Sequence, residues 1–161
     1  MTTKKEIIVV LDNIRSTFNV GSIFRTADCV GVHKIYLVGI TPAPIDRFGR
    51  ERRDITKVSL GAEKNIVWEQ VKDTASIIKK LKRSGFQIIY IEQAKNSIDY
   101  KKVKLDKVGR VAFVLGNEVT GIDPKLFKLA DAIAEIPLAG KKESLNVLVA
   151  FAVAVFRILG K

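Results

Sequence analysis

Apolar residues fall along the chain in short runs separated by polar punctuation. Ile7–Leu11 is a mostly β-branched apolar run closed by Asp12, and it predicts a buried strand. From Asn19 to Gly31 the apolar positions Val20, Ile23, Phe24, Ala27 and Val30 recur at helical spacing, with Asn19 placed to cap the start and Gly31 to close the end. Lys34–Val38 predicts a second strand. Gly39–Ser59 holds two of the four prolines and the charged run DRFGRERRD, which predicts a long surface loop. Ile66–Trp68 reads as a short strand. Asp73–Ser84 reads as a helix capped by Asp73, apolar at Ala75, Ile77, Ile78 and Leu81 and stopped by Gly85. Ile88–Ile91, Val111–Leu115 and Ala132–Ile136 predict strands, with a short helix from Pro124 to Ala130. Leu145–Leu159 predicts a closing helix, apolar almost all round. Such a helix needs cover on more than one face, and in a chain this small a second subunit is the expected cover.

Short two-sided apolar strands alternating with helices predict an α/β fold, a mostly parallel sheet flanked by helices. At 161 residues the chain is expected to form a single domain, 1–161. Ligands of such sheets gather beyond the carboxyl ends of the strands. That points to four segments: Asp12–Asn19, Glu92–Ser97, Gly116–Gly121 and Pro137–Asn146.

Charge changes this picture. Lys and Arg number 28 against 17 acidic residues, a formal net charge of +11, which favours a polyanionic partner. The one cysteine, Cys29, excludes an internal disulfide, suits a reducing cytoplasm and is expected as a small core residue. The longest apolar run, Val147–Phe156, is half of the ~20 residues a membrane span needs. The opening MTTKKEIIVVLDN has a basic flank but too short an apolar core for a signal peptide, so a cytoplasmic protein with no membrane partner is expected. Neither a P-loop nor a G-x-G-x-x-G after a strand is present. One His and one Cys do not make a zinc site, and no metal is expected; His33 is placed at a loop or strand edge.

Three constellations carry candidate chemistry. The first, NIRSTFNVGSIFRT, gathers Asn13, Arg15, Ser16, Asn19 and Arg25 around a helix N-terminus, a setting that favours anions. Arg25 is within reach of a cleft there, or is a solvated helix residue; the pattern alone leaves both open. In the second, Leu115-Gly116-Asn117-Glu118-Val-Thr-Gly121, glycine lets backbone approach a ligand, and Glu118 either orients Asn or Arg side chains or is a solvated loop acid. The third runs from Ile136 through Leu138 to Asn146. Ser144 sits where a helix cap belongs, whereas Asn146, at the head of an apolar helix, needs a hydrogen-bonding task, because a buried unpaired amide costs about 1–3 kcal/mol.

In this order and at these spacings, NIRSTFNVGSIFRTAD, LGNEVTGID and IPLAGKKESLNVLVA resemble the three motifs of the SpoU/TrmH family of the SPOUT methyltransferase superfamily. The resemblance spans nearly the whole chain. It implies an α/β fold with a deep C-terminal trefoil knot, a homodimer through the C-terminal helix, and transfer of methyl from S-adenosyl-L-methionine to a ribose 2′-hydroxyl of RNA, tRNA or rRNA. Gly116, Ile136 and Leu145 match the family's cofactor-contacting positions, and Leu115, Leu138, Asn146 and Glu92 are expected beside them. Asn19, Arg25, Glu118, Ser144 and Asn146 match its catalytic positions. The family's arginine is often assigned as base; a guanidinium, which almost never gives up its proton, is better suited to stabilise the developing alkoxide. Leu148 stands where a smaller residue is frequent, and Phe156-Arg157 replaces a common aromatic–acid ending. The separate N-terminal RNA-binding domain of many relatives has no counterpart in this sequence. A catalytically silent RNA-binding dimer and a base methyltransferase of the same superfamily are the alternatives.

Three basic groups are candidates for holding RNA. Arg47, Arg50, Arg52 and Arg53 in the long loop, with Arg15 nearby in the first motif, are preferred, because guanidinium forks suit phosphate and Phe48 offers a stacking face. Lys79, Lys80, Lys82 and Arg83, and then Lys101, Lys102, Lys104 and Lys107, read more simply as solvated faces.

Overall fold

A computed structural model describes residues 5–161. Residues 1–4, part of the basic flank weighed above for a targeting segment, lie outside the described residues. The elements are β1 (Glu6–Asp12), α1 (Thr17–Val30), β2 (Lys34–Val38), α2 (Arg53–Ser59), α3 (Ala62–Asn65), β3 (Val67–Val71), α4 (Thr74–Arg83), β4 (Gln87–Ile91), β5 (Ile98–Asp99), β6 (Arg110–Leu115), β7 (Ala132–Glu135) and α5 (Val147–Leu159). The strands form one seven-stranded sheet of order β3-β2-β1-β6-β4-β7-β5, and every pairing is parallel.

Alternation along β1 divides the core. Ile7, Val9 and Leu11 face one side, where Val20, Ile23 and Phe24 of α1 and Phe151, Ala154 and Val155 of α5 pack on them. Ile8 and Val10 face the other, against Ile77, Ile78 and Leu81 of α4. A central strand buried on both faces must be apolar at every position, which is why Ile7–Leu11 is a continuous run. A register row crosses the sheet here: Leu115 pairs with Leu11, Leu11 with Leu37, and Leu37 with Gln70.

Several expectations need correction. Helix α1 starts earlier than Asn19: Ser16 is the cap, its side chain accepting from the Asn19 N–H, and Asn19 is a buried residue of the first turn. The segment 39–59 is not loop throughout, since α2 occupies its end. Its only apolar period is Ile55 and Val58, too short to stand out among the charges. Ile55 is fully buried against α1, where Gly21 lets the backbones meet: a Cβ on Gly21 would lie 2.6 Å from the Ile55 carbonyl oxygen. The turn Pro124–Leu129 is a 3₁₀ helix, and the two-residue edge strand β5 carries too little pattern to predict. Helix α5 is capped by Asn146 rather than Ser144. Cys29 is exposed, not a core residue. His33 lies at the strand edge as expected, its Nδ1 accepting from the Ile7 N–H.

Helix α5 buries Phe151, Ala154, Val155 and Leu159. The opposite stripe, Val149, Val153 and Phe156, continued by Leu145 before the helix, remains about 40% exposed. No helix among the described residues is long and apolar enough to cross a membrane.

Candidate active site

Beyond the carboxyl ends of β4, β6 and β7 lies a cleft of about 410 Å³. Its floor is apolar, from Ile91, Leu115, Ala134, Ile136, Val147 and Ala150. Its walls bring together Glu92 and Gln93 after β4, Gly116–Val119 and Gly121 after β6, and Leu138, Ser144, Leu145 and Asn146 before α5. Three of the four segments picked out by the parallel-sheet rule thus line one cavity. The fourth, Asp12–Asn19, stands behind it.

The β6 loop is built tightly. Asn117 Oδ1 accepts from the N–H groups of Val119 and Thr120, its carbonyl accepts from Gly121 N–H, and its Nδ2 donates to the Asn13 carbonyl at 2.8 Å. Glu92 closes the loop's far side, with Oε2 accepting from Ile122 N–H at 3.0 Å and Oε1 from Gln93 N–H at 2.8 Å. Glycine is obligatory at two points. A Cβ on Gly116 would lie 2.5 Å from both the Gly121 carbonyl carbon and the Ile122 nitrogen. Gly121 has φ +68, and a Cβ there would meet the Glu92 carboxylate at 2.6 Å.

Glu118 joins the first motif to this loop. Its carboxylate accepts from the backbone N–H groups of Arg15 (2.9 Å) and Ser16 (3.0 Å) and from Asn19 Nδ2 (3.1 Å). Burial works to raise its pKa, but these donors outweigh burial and hold the carboxyl below its ordinary value. Glu118 is therefore an ionised, acceptor-only anchor. Asn19 passes the connection on: its Oδ1 accepts from Asn146 Nδ2 at 3.2 Å, while Asn146 Oδ1 accepts from Leu148 N–H at 2.9 Å. Asn146 is exposed rather than buried, yet its amide has the task its position demanded.

Of the remaining predicted residues, Arg25 does not reach the cleft. It stands on the exposed face of α1, more than two turns or roughly 12 Å beyond Thr17, and its side chain makes no hydrogen bond or ion pair among the described residues. Arg15 anchors through its backbone and leaves its side chain exposed. Arg47, Arg50 and Arg53 are exposed and Arg52 is half-buried, all beyond the carboxyl end of β2. Gln93 and Asn117 were missed as individual residues. Both lie in the segments singled out, and Asn117, an amide between the motif's Gly116 and Glu118, was the visible signal.

The cleft fits S-adenosylmethionine by the chemistry of its lining. Apolar walls beside Gly116 and Leu145 suit a purine, the backbone approaches without side chains in between, and the Glu92 and Glu118 carboxylates suit a cation. Its volume lies within the usual range for small-molecule sites, ~300–1,000 Å³.

Parallel strands with a cleft at their carboxyl ends, walled by glycine-rich loops and backed by a Glu–Asn–Asn chain, define an α/β enzyme-like domain with a small-molecule site. The sequence pattern of the SpoU rRNA Methylase family matches residues 6–156, and the chain belongs to that family. It is 29% identical over 153 residues to a tRNA (guanosine(18)-2'-O)-methyltransferase of Aquifex aeolicus (strain VF5), covering 95% of this chain and 68% of that protein. It is 30% identical over 154 residues to the enzyme of the same name from Escherichia coli (strain K12), covering 94% of this chain and 62% of that one. An AdoMet-bound rRNA methyltransferase from Sinorhizobium meliloti superposes with TM-score 0.84 at 30% identity, over 98% of this chain and 57% of the other. The chain thus spans between about half and two thirds of these three proteins.

Proposed function

We propose that the chain is an S-adenosylmethionine-dependent RNA methyltransferase acting on a ribose 2′-hydroxyl of tRNA or rRNA. The observation that carries this reading is the Glu118–Asn19–Asn146 chain, which ties all three family motifs to the wall of one small-molecule cleft. The names of the relatives agree with it.

S-adenosylmethionine supplies an electrophilic methyl group. Leu115, Gly116, Ile136, Leu138 and Leu145, with Glu92 fixing the β6 loop, hold it at the cleft. Glu118 is an unsuitable proton acceptor, because its carboxylate is already committed to the Arg15, Ser16 and Asn19 donors. Its role is to orient Asn19, which in turn holds Asn146 and leaves Ser144 free at the cleft wall to position the ribose. Arg25 stands outside this chain's own cleft; carried by the dimer to the partner's cleft, its guanidinium stabilises charge developing on the ribose oxygen there. Arg15, Arg47, Arg50, Arg52 and Arg53 bind RNA phosphates along the same edge of the sheet.

Two further features belong to this reading. A second copy covers the stripe Leu145, Val149, Val153 and Phe156, giving a homodimer through α5; α1 packs beside α5, so Arg25 lies near that interface. The segments 116–121 and 137–146 form a trefoil knot, a reading supported by the insertion of β6 between β1 and β4 and by the return of the chain after β7 to pack α5 on α1.

The test uses purified chain, labelled methyl donor and total RNA. Methyl label recovered as 2′-O-methylnucleoside is the expected result; label on a base, or no label while S-adenosylhomocysteine binds, would refute ribose methylation.

A further inference from the structure

Away from the cleft, the chain from Pro42 to Arg52 is a built hairpin rather than a loose loop. Ile45 bridges Glu51 in antiparallel fashion, Arg52 N–H donates to the Pro44 carbonyl, and Asp46 N–H donates to the Arg50 carbonyl. The Asp46 carboxylate accepts from the N–H groups of Phe48 (2.8 Å) and Arg50 (2.9 Å) and from Arg50 Nε (3.0 Å). Asp46 is thereby fully used inside the hairpin.

What the hairpin displays is a ring. Phe48 is 66% exposed, although its backbone is pinned. The Arg47 and Arg50 guanidinium carbons sit 4.8 and 4.9 Å from its centroid. Arg47, Phe48, Arg50, Arg52 and Gln70 line a second cavity of about 480 Å³. Within it the Arg52 Nε is buried and has no hydrogen-bond partner among the described residues. A buried guanidinium donor without an acceptor, beside an exposed aromatic ring flanked by two cations, matches one phosphate and one unstacked base of a nucleic acid strand.

The register of the sheet fixes where this is. Gln70, in the hairpin cavity, and Leu115, in the cleft, belong to the same row through Leu37 and Leu11. They are three strand spacings apart, roughly 14 Å. Stacked strand advances about 3.4 Å per nucleotide, so this distance is about four nucleotides, and fewer if the strand is extended.

We propose that the Arg47–Phe48–Arg50–Arg52 hairpin is a docking site for one unpaired nucleotide of the RNA, lying two to four nucleotides from the ribose held at the cleft. Arg52 and its neighbours take the phosphate and Phe48 stacks the base. The site selects RNA that is single-stranded at that offset, since bases inside a helix have no free face to offer. The spacing rests on the methyltransferase reading of the cleft; the stacking site does not.

Binding is measured by fluorescence anisotropy with the intact chain, using a labelled single-stranded RNA octamer and the same sequence locked in a duplex, at two salt concentrations. Phe48→Ala should weaken single-strand binding at least ~10-fold and duplex binding less than about twofold, with Phe48→Trp restoring the difference. Arg52→Gln should lower the slope of log affinity against log salt by about one phosphate contact. Equal losses on both RNAs, or none, would overturn the proposal. Calorimetry with S-adenosylhomocysteine on the same variants keeps the two readings apart. Unchanged cofactor binding with lost single-strand discrimination isolates the hairpin, whereas intact discrimination without cofactor binding sinks only the methyltransferase reading.

Discussion

Replacing Gly116 by alanine puts the cofactor assignment under direct strain. The new methyl carbon would sit 2.5 Å from the Gly121 carbonyl carbon and the Ile122 nitrogen and 2.7 Å from Ile122 Cγ1. Ordinary contact needs about 3.5–4.0 Å, so the loop must retreat by roughly 1 Å. It cannot do so freely. Ile122 N–H is held by Glu92 Oε2, and Gly121 N–H by the Asn117 carbonyl. Overpacking of this kind costs about 1–3 kcal/mol. At ~2–4 °C per kcal/mol for a chain of this size, Tm should fall by roughly 2–12 °C. The same displacement moves a wall of the cleft, so affinity for S-adenosylhomocysteine should drop at least ~10-fold by calorimetry. Gly140→Ala is the control, because nothing lies within 4 Å of a Cβ built there, and both readings should stay close to the parent. A Gly116→Ala variant that binds S-adenosylhomocysteine as tightly as the parent would refute the placement of the cofactor against this loop.

Glu118→Ala strips the buried Asn19 amide of its acceptor and should cost about 1–3 kcal/mol in urea titration, with Glu118→Gln recovering only part. Because the folded Glu118 carboxyl lies below its ordinary 4.5, its contribution is complete above that value and disappears as pH falls through the folded one. Glu118→Ala and parent stabilities should accordingly converge in acid; an undiminished gap would exclude the ionised anchor. Arg25→Ala should cut single-turnover methylation at least ~10²-fold while S-adenosylhomocysteine affinity stays within twofold, and a near-normal rate would return Arg25 to the solvated surface of α1. Val153→Glu, on the exposed stripe of α5, should yield the monomer mass in sedimentation where the parent gives twice that; a monomeric parent would remove the proposed dimer.

The strands were readable because burial on both faces leaves an unbroken apolar run, as in Ile7–Leu11 and Val111–Leu115. Helix α2 was not, because what makes Arg53–Ser59 helical is the seat of Ile55 against Gly21, a tertiary contact with no local signature. Cys29 misled in the same way: one position separates it from the buried Val30, and only the helix phase decides which of them faces the core. At the cleft, the strand-end rule picked out three of the segments that line it, and the family resemblance selected residues within them. Neither showed that Glu118 spends its carboxylate on Arg15, Ser16 and Asn19, since those partners lie some hundred residues away. Nor could either place Arg25 outside the cleft, where the length of α1 carries it.

Those long separations also say when the site comes into being. The hydrogen bonds of Glu118 span about a hundred residues and that of Asn146 to Asn19 spans 127. The central β1–β6 pairing spans the same hundred residues, so the cleft walls come together with the closing of the sheet and not before it. Partly folded forms have nothing for a ligand to grip. A small molecule filling the cleft therefore acts on the finished state alone, slowing its loss rather than hastening its formation, and at a hundred times its Kd would add about 2.7 kcal/mol to the stability of the native chain. Amide exchange at Arg15 and Ser16, protected only through Glu118, is where that closure can be watched.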